Sequence, residues 1–186
     1  MEMSRHVTIG LAELNDLPLH VKLNDVTTIN LRLHRLTSID QFDFTVYPRL
    51  QILHIEGNNI TSINCLSGLP RLKSIFATKN QITSIENLNL PNLRILHLEY
   101  NKIQVLRNFS LPLLERLYVA NNEITSFAEI PYLPRLTRID DRKSISWGEL
   151  TNRVPPTQDE DVTSPFPASV NPSTQLPMSA MPASLL

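Results

Sequence analysis

Two histidine–glutamate pairs, His54 with Glu56 and His97 with Glu99, come nearest in residue type and spacing to a chemical site. Residues two apart share one face of an extended strand, so each pair could offer an imidazole and a carboxylate to an ion. The strand order argued below separates the pairs by two strands, ~10 Å, with Phe76 between them. Zinc bonds run ~2.0–2.2 Å, so one ion cannot bridge the pairs, and exposed histidines without a metal are the expectation. Catalysis has no firmer footing. The chain holds no nucleophile elbow, phosphate loop or metalloprotease helix motif. Cys65, beside Asn64 and Leu66, reads as a small semi-buried filler of a return segment and not as a nucleophile. No catalytic residue, metal or cofactor is expected, and the chain reads as non-enzymatic.

The elements that position these residues follow from an internal repeat. ITSI stands at 60–63 and again at 82–85, with near copies starting at Leu36, Ile103 and Ile124. From Ile60 the steps to Ile82, Ile103 and Ile124 are 22, 21 and 21 residues. The pattern L-x-x-L-x-L-x-x-N-x-L fits Leu50, Leu53, Ile55, Asn58 and Ile60, and recurs in register around Asn80, Asn101 and Asn122. Apolar alternation at L-x-L is strand periodicity, and strands this short bury their apolar faces only by stacking on neighbours. The asparagine amide, both donor and acceptor, suits the bend after each strand, where unpaired backbone groups are costly. Asn58, Asn80, Asn101 and Asn122 are therefore assigned structural roles.

This pattern resembles the leucine-rich repeat over roughly 26–147. The short period and the ITSI and LPxL segments are similar to the class found in the leucine-rich-repeat regulatory subunit of protein phosphatase 1. Dynein-associated and spliceosomal leucine-rich-repeat proteins share that class. The resemblance implies an α/β solenoid: a leucine-rich-repeat horseshoe with a parallel concave β-sheet and short 3-10 or extended convex segments.

Flanking copies are degenerate, as terminal repeats should be. Val26, Ile29, Leu31, His34 and Leu36 put histidine where asparagine belongs, and Leu136, Ile139, Asp141 and Ser144 fit loosely. The expected organisation is a cap region over 1–25, a solenoid of about six repeats over 26–150, and a disordered Pro/Ser-rich tail over 151–186. The cap is read as a strand at 6–9 or a short helix. Of 14 prolines, seven fall in the tail, whose composition offers too little apolar surface to offset ordering. Pro48, Pro70, Pro91, Pro112 and Pro134 each stand two residues before a repeat's first leucine, a corner that tolerates a missing N–H. With only 4 glycines, the bends are expected to use asparagine instead.

Strand alternation aims one row outward: Asn30, His54, Phe76, His97, Tyr118 and Asp140. Beside it run Arg32, Glu56, Thr78, Glu99, Ala120 and Arg142, and on the other side Thr28, Ile52, Ser74, Ile95, Arg116 and Arg138. Lys79, Tyr100, Asn121 and Lys102 follow further out. Large amphipathic rings ringed by charge match the composition of interface hot spots. Cross-strand stacking, which stabilises a sheet without a partner, is the alternative. His54, Phe76, His97 and Tyr118 are taken as protein-binding anchors. Glu56, Glu99, Tyr100, Arg116, Lys79 and Arg138 would orient the partner. Alanine at Phe76 and Tyr118 is expected to abolish partner capture and leave thermal stability nearly intact.

A net charge of -1, from 17 basic and 18 acidic residues, lacks the footprint of a general nucleic-acid binder. No apolar run of ~18 residues and no signal-peptide pattern occurs, so no membrane association is expected. One cysteine excludes an intrachain disulfide and suggests a reducing intracellular compartment, cytoplasmic or nuclear. Lys143-Ser144-Ile145-Ser146-Trp147 resembles a phosphatase-docking motif, against which an end-capping role for Trp147 is weighed. Ser164-Pro165 fits a proline-directed phosphorylation site. The expected function is a scaffold binding a protein partner on its concave face. A phosphatase catalytic subunit is the first candidate by resemblance. The alternatives are a cytoskeletal or dynein-associated adaptor and a spliceosomal protein supporting an RNA-binding partner. Oligomeric state stays open, because an exposed aromatic stripe can pair with itself.

Overall fold

The computed structural model describes residues 7–16 and 22–141. Readings that concern Arg142, the 143–147 motif, Ser164-Pro165 and the 151–186 tail lie outside them.

Seven strands form one parallel sheet in chain order: β1 (Val7–Gly10), β2 (Val26–Asn30), β3 (Ile52–His54), β4 (Ser74–Phe76), β5 (Ile95–His97), β6 (Arg116–Tyr118) and β7 (Arg138–Asp140). The sheet is open and not closed into a barrel. Its register is the register of the repeat, with Leu53, Ile75, Leu96 and Leu117 aligned across β3 to β6. All four are fully buried, and so are Ile55, Ala77 and Leu98 two residues on. The return segments supply the opposite wall of the core through Ile60, Ile63 and Leu66, and again through Ile82, Ile85 and Leu88. At the amino end both a strand and a helix are present. β1 pairs with β2, and helix α1 (Leu11–Asn15) follows it at once, with Glu13 accepting from the Gly10 N–H at 3.0 Å.

The corner prolines are all exposed. Around four of them the leucine two residues on donates back to the residue before the proline: Leu50 to Tyr47, Leu93 to Leu90, Leu114 to Leu111 and Leu136 to Leu133. Proline is pre-set for the second position of such a turn, and its missing N–H is not needed there.

The asparagine column is a continuous ladder inside the solenoid. Asn80 donates to Ile55 O at 2.9 Å and Ala77 O at 3.1 Å, and accepts from Ile60 N–H at 3.0 Å. Asn101 repeats this with Ala77 O, Leu98 O and Ile82 N–H, each at 3.0 Å. Asn122 repeats it with Leu98 O, Val119 O and Ile103 N–H. Each inner carbonyl is thus shared by two successive asparagines. His34, at the degenerate position, is exposed and does not imitate this; its backbone N–H instead donates to Asn58 Oδ1.

The bends do not use these asparagines in the expected way. The left-handed residue in each bend is the one before the ladder asparagine. It is Gly57, Lys79, Tyr100 and Asn121 in turn, with Leu33 before His34 at the degenerate position, all at φ 57 to 68. Asparagine does serve in the convex segments of the two 21-residue repeats, where Asn87 and Asn108 are left-handed. There Asn89 and Ser110 form a parallel bridge, a second short strand pairing behind the sheet. The longer repeat at 60–81 uses the 3-10 turn Asn64–Leu66 instead. Cys65 lies in the middle of that turn; its residue surface is exposed while its sulfur is half-buried. A 3-10 turn has three residues per turn, so only Ile63, Leu66 and Leu69 face inward. Burial of its sulfur, then the Asp40 carboxylate beside it, push the Cys65 thiol up to about 12, far from a reactive thiolate.

Candidate functional site

The parallel register puts Asn30, His54, Phe76, His97, Tyr118 and Asp140 in one row across six strands. The four rings in the row lie face to face. Centroids are 4.6 Å apart for His54–Phe76, 4.9 Å for Phe76–His97 and 4.1 Å for His97–Tyr118, with planes within 20°. Arg138 closes the stack over Tyr118 at 5.6 Å. Ring separations therefore follow the strand spacing of ~4.8 Å. Each inner ring spends both faces on its neighbours, and its outer edge is what remains for a partner. Alanine at Phe76 would remove two stacked contacts, so a cost in stability is expected beside any loss of partner capture.

Arg32 ties the first end of the row. One of its terminal nitrogens lies 2.7 Å from both His54 Nδ1 and Glu56 Oε1. His54 Nδ1 is also 3.2 Å from Glu56, so a bare Nδ1 accepts from Arg32 and a protonated one donates to Glu56. Burial would push the Glu56 carboxyl up, but hydrogen bonds from His54 and Arg32 outweigh it and hold the group at about 2. Glu56 Oε2 is buried and has no hydrogen-bond partner among the described residues. At the other pair, His97 Nδ1 is 3.3 Å from Glu99, which also accepts from Thr78 at 3.0 Å. Glu56 and Glu99 are thus engaged within the protein. Lys79 lies over the half-exposed Tyr100 ring at 5.9 Å. Arg116 and Arg138 are exposed at the other flank of the row.

Among the described residues no three His, Cys, Asp or Glu side chains gather closely enough to hold a metal ion. The row beside the rings departs from expectation at Ala120, which is 1 % exposed. Its methyl is far shorter than Glu99 in the preceding repeat and sits below the level of the neighbouring side chains. Sequence reasoning missed the Arg32–His54–Glu56 cluster, since Arg32 comes from a repeat without the asparagine that marks the others.

Parallel strands stacked one per repeat, with an inner asparagine ladder and an open face, define a repeat solenoid. A leucine-rich-repeat family model matches residues 24–82, and a second, for two leucine-rich-repeat copies, matches 70–110 and 91–132. Together they span more than half of the chain, which belongs to the leucine-rich-repeat family. No curated protein matches the sequence. Among solved structures, TLR13 in its complex with ssRNA13 is similar at 22% identity and a TM-score of 0.56, over 81% of this chain and 22% of the TLR13 chain. This chain therefore spans about a fifth of that one. Internalin C2 from Listeria monocytogenes is similar at 15% identity and a TM-score of 0.35, over 63% of this chain and 81% of its own. Leucine-rich repeats are typical of protein-interaction scaffolds, and among the described residues no helix is long and apolar enough to cross a membrane.

Proposed function

We propose that this chain is a non-enzymatic scaffold that binds a protein partner on the open face of its sheet. The observation behind the reading is the ring stack from His54 to Tyr118, partly exposed and flanked by Glu56, Glu99, Tyr100, Lys79, Arg116 and Arg138. The stack, the contacts of His54 and His97 with Glu56 and Glu99, and Arg138 over Tyr118 hold the rings and the two carboxylates in place before docking. Little side-chain entropy is then lost on binding, which favours affinity at modest contact area. Phe76 and the imidazole edges supply an apolar strip, and Arg116 and Arg138 set charge and direction.

The first candidate partner is a phosphatase catalytic subunit, which rests on the resemblance of the short ITSI and LPxL repeats to the phosphatase 1 regulatory class. Co-elution of the purified chain with that catalytic subunit tests this, with the Phe76→Ala/Tyr118→Ala double variant as control. Co-elution lost in the variant supports the reading. Absence of co-elution removes the phosphatase reading. The scaffold reading is then judged by copurification from the native cell: a partner released by the double variant supports it, and a partner indifferent to it does not. RNA in that complex would point to the spliceosomal relatives.

A further inference from the structure

The cations of this chain are unevenly placed. In the segments running from each corner proline to the start of the next strand, Arg49, Arg71 and Arg135 follow the proline directly. Lys73, Arg94, Arg116 and Arg138 stand at or just before the first strand residue. The one carboxylate in those segments, Glu115, is bound by Arg94 at 2.9 Å. The strand-end side is balanced, with Arg32, Arg35, Lys79 and Lys102 against Glu56, Glu99, Glu123 and Asp140. The return segments are acidic, with Asp40, Asp43, Glu86 and Glu129 against Arg107. A chain of net charge -1 thus concentrates its positive charge along one edge of the sheet. Repeats advance ~4.8 Å per strand, so these cations form a ridge along the repeat axis. Arg49, Arg71, Arg116 and Arg135 have no ion-pair partner among the described residues. A shallow depression between the first two corners, lined by Asn24, Pro48, Arg49 and Arg71, opens beside it.

We propose that this ridge is a docking strip for an acidic segment of a protein partner, laid along the repeat axis. Six of the seven cations are arginine, whose planar guanidinium suits carboxylates better than a lysine ammonium does. Like charges so close repel each other in the free protein, and an acidic segment relieves that. A single-stranded nucleic acid needs stacking platforms as well as cations. The rings nearest the ridge are spent: Phe76 lies between His54 and His97, and Tyr118 between His97 and Arg138. Tyr132 is exposed before the last corner, but one ring makes no track for successive bases.

The ridge extends the open-face reading and shares Arg116 and Arg138 with it, so its test uses Arg71 and Arg135, which that reading does not need. The full chain is titrated by fluorescence anisotropy against three labelled probes. These are a peptide of about twelve alternating Glu and Ser residues, the same peptide with Gln for Glu, and an oligouridylate of equal length. The acidic peptide is expected to bind and the Gln peptide not. Arg71→Glu/Arg135→Glu should weaken the acidic peptide about tenfold, with Arg71→Gln/Arg135→Gln intermediate and Lys102→Glu without effect. Binding should also fall with added salt. Phe76→Ala should leave this binding intact while releasing the open-face partner, so each reading can fail without the other. Three results would overturn the ridge: no binding of the acidic peptide, binding indifferent to the Arg71 and Arg135 reversals, or tighter binding of the oligouridylate.

Discussion

Replacing one ladder asparagine and replacing two neighbours should differ by more than arithmetic. Asn80→Ala removes the acceptor of the buried Ile60 N–H and one of two donors to each of Ile55 O and Ala77 O. Ile55 O keeps Asn58, and Ala77 O keeps Asn101. One orphaned donor and two thinned carbonyls should cost about 2–3 kcal/mol. Asn101→Ala has the same ledger, with Ile82 N–H orphaned and Leu98 O retained by Asn122. The double variant also strips Ala77 O of both donors. Leaving a buried carbonyl bare adds about 1–2 kcal/mol beyond the sum of the single changes. Asn58→Ala with Asn122→Ala shares no carbonyl and should be additive to within about 0.5 kcal/mol. Urea unfolding followed by circular dichroism gives both cycles. The comparison is valid where all variants keep one m-value, since repeat arrays can lose cooperativity. A coupling near zero for Asn80 with Asn101, or an equal coupling in the distant pair, would refute shared-carbonyl bonding as the origin of stability here.

Phe76→Ala, which removes two stacked contacts, should lower stability by about 2 kcal/mol in the same urea assay while retaining the fold; an unchanged midpoint would show that the stack contributes nothing. Glu56 has its carboxyl held at about 2 against an ordinary 4.5, so its stabilising effect is present above pH 4.5 and is lost as pH falls toward 2. With Arg32 45% exposed, the effect is screened to about 1–2 kcal/mol. The gap in unfolding free energy between the native chain and Glu56→Gln should close over that window, and a pH-independent gap would contradict the assignment. Lys79 holds φ 58, a conformation that costs an L-residue about 1 kcal/mol and glycine almost nothing. Lys79→Gly should therefore raise stability by about 0.5 kcal/mol after the entropy of the freer unfolded chain is counted, and a lower urea midpoint would count against it.

The period was legible because packing forces it: Leu53, Ile75, Leu96 and Leu117 must meet in one plane, so their spacing in the chain records the repeat. The outward row was legible for the same reason, since alternation decides which side chains leave the core. What the rows do among themselves was not. Face-to-face stacking of His54 through Tyr118 depends on rotamers, which residue types do not encode. Left-handed bends were hidden because Lys79, Tyr100 and Asn121 occupy positions where glycine would have announced them. Arg32 reaches His54 and Glu56 from the turn after the neighbouring strand, 22 and 24 residues away in the chain, and only the folded register brings the three together.

The bridge between Asn89 and Ser110 has a mechanical meaning. A stack of wedges bends when its outer rim is wider than its inner rim. Hydrogen bonding behind the sheet pins the outer rim of these two repeats to the same spacing, ~4.8 Å, that the strands impose on the inner one. Equal spacing at the two rims opposes bending of the array between these two repeats. The bridge lies behind Phe76 and His97, whose rings stack with centroids 4.9 Å apart. The short return segments on one side of the molecule thereby limit how far the sheet on the other side can curve.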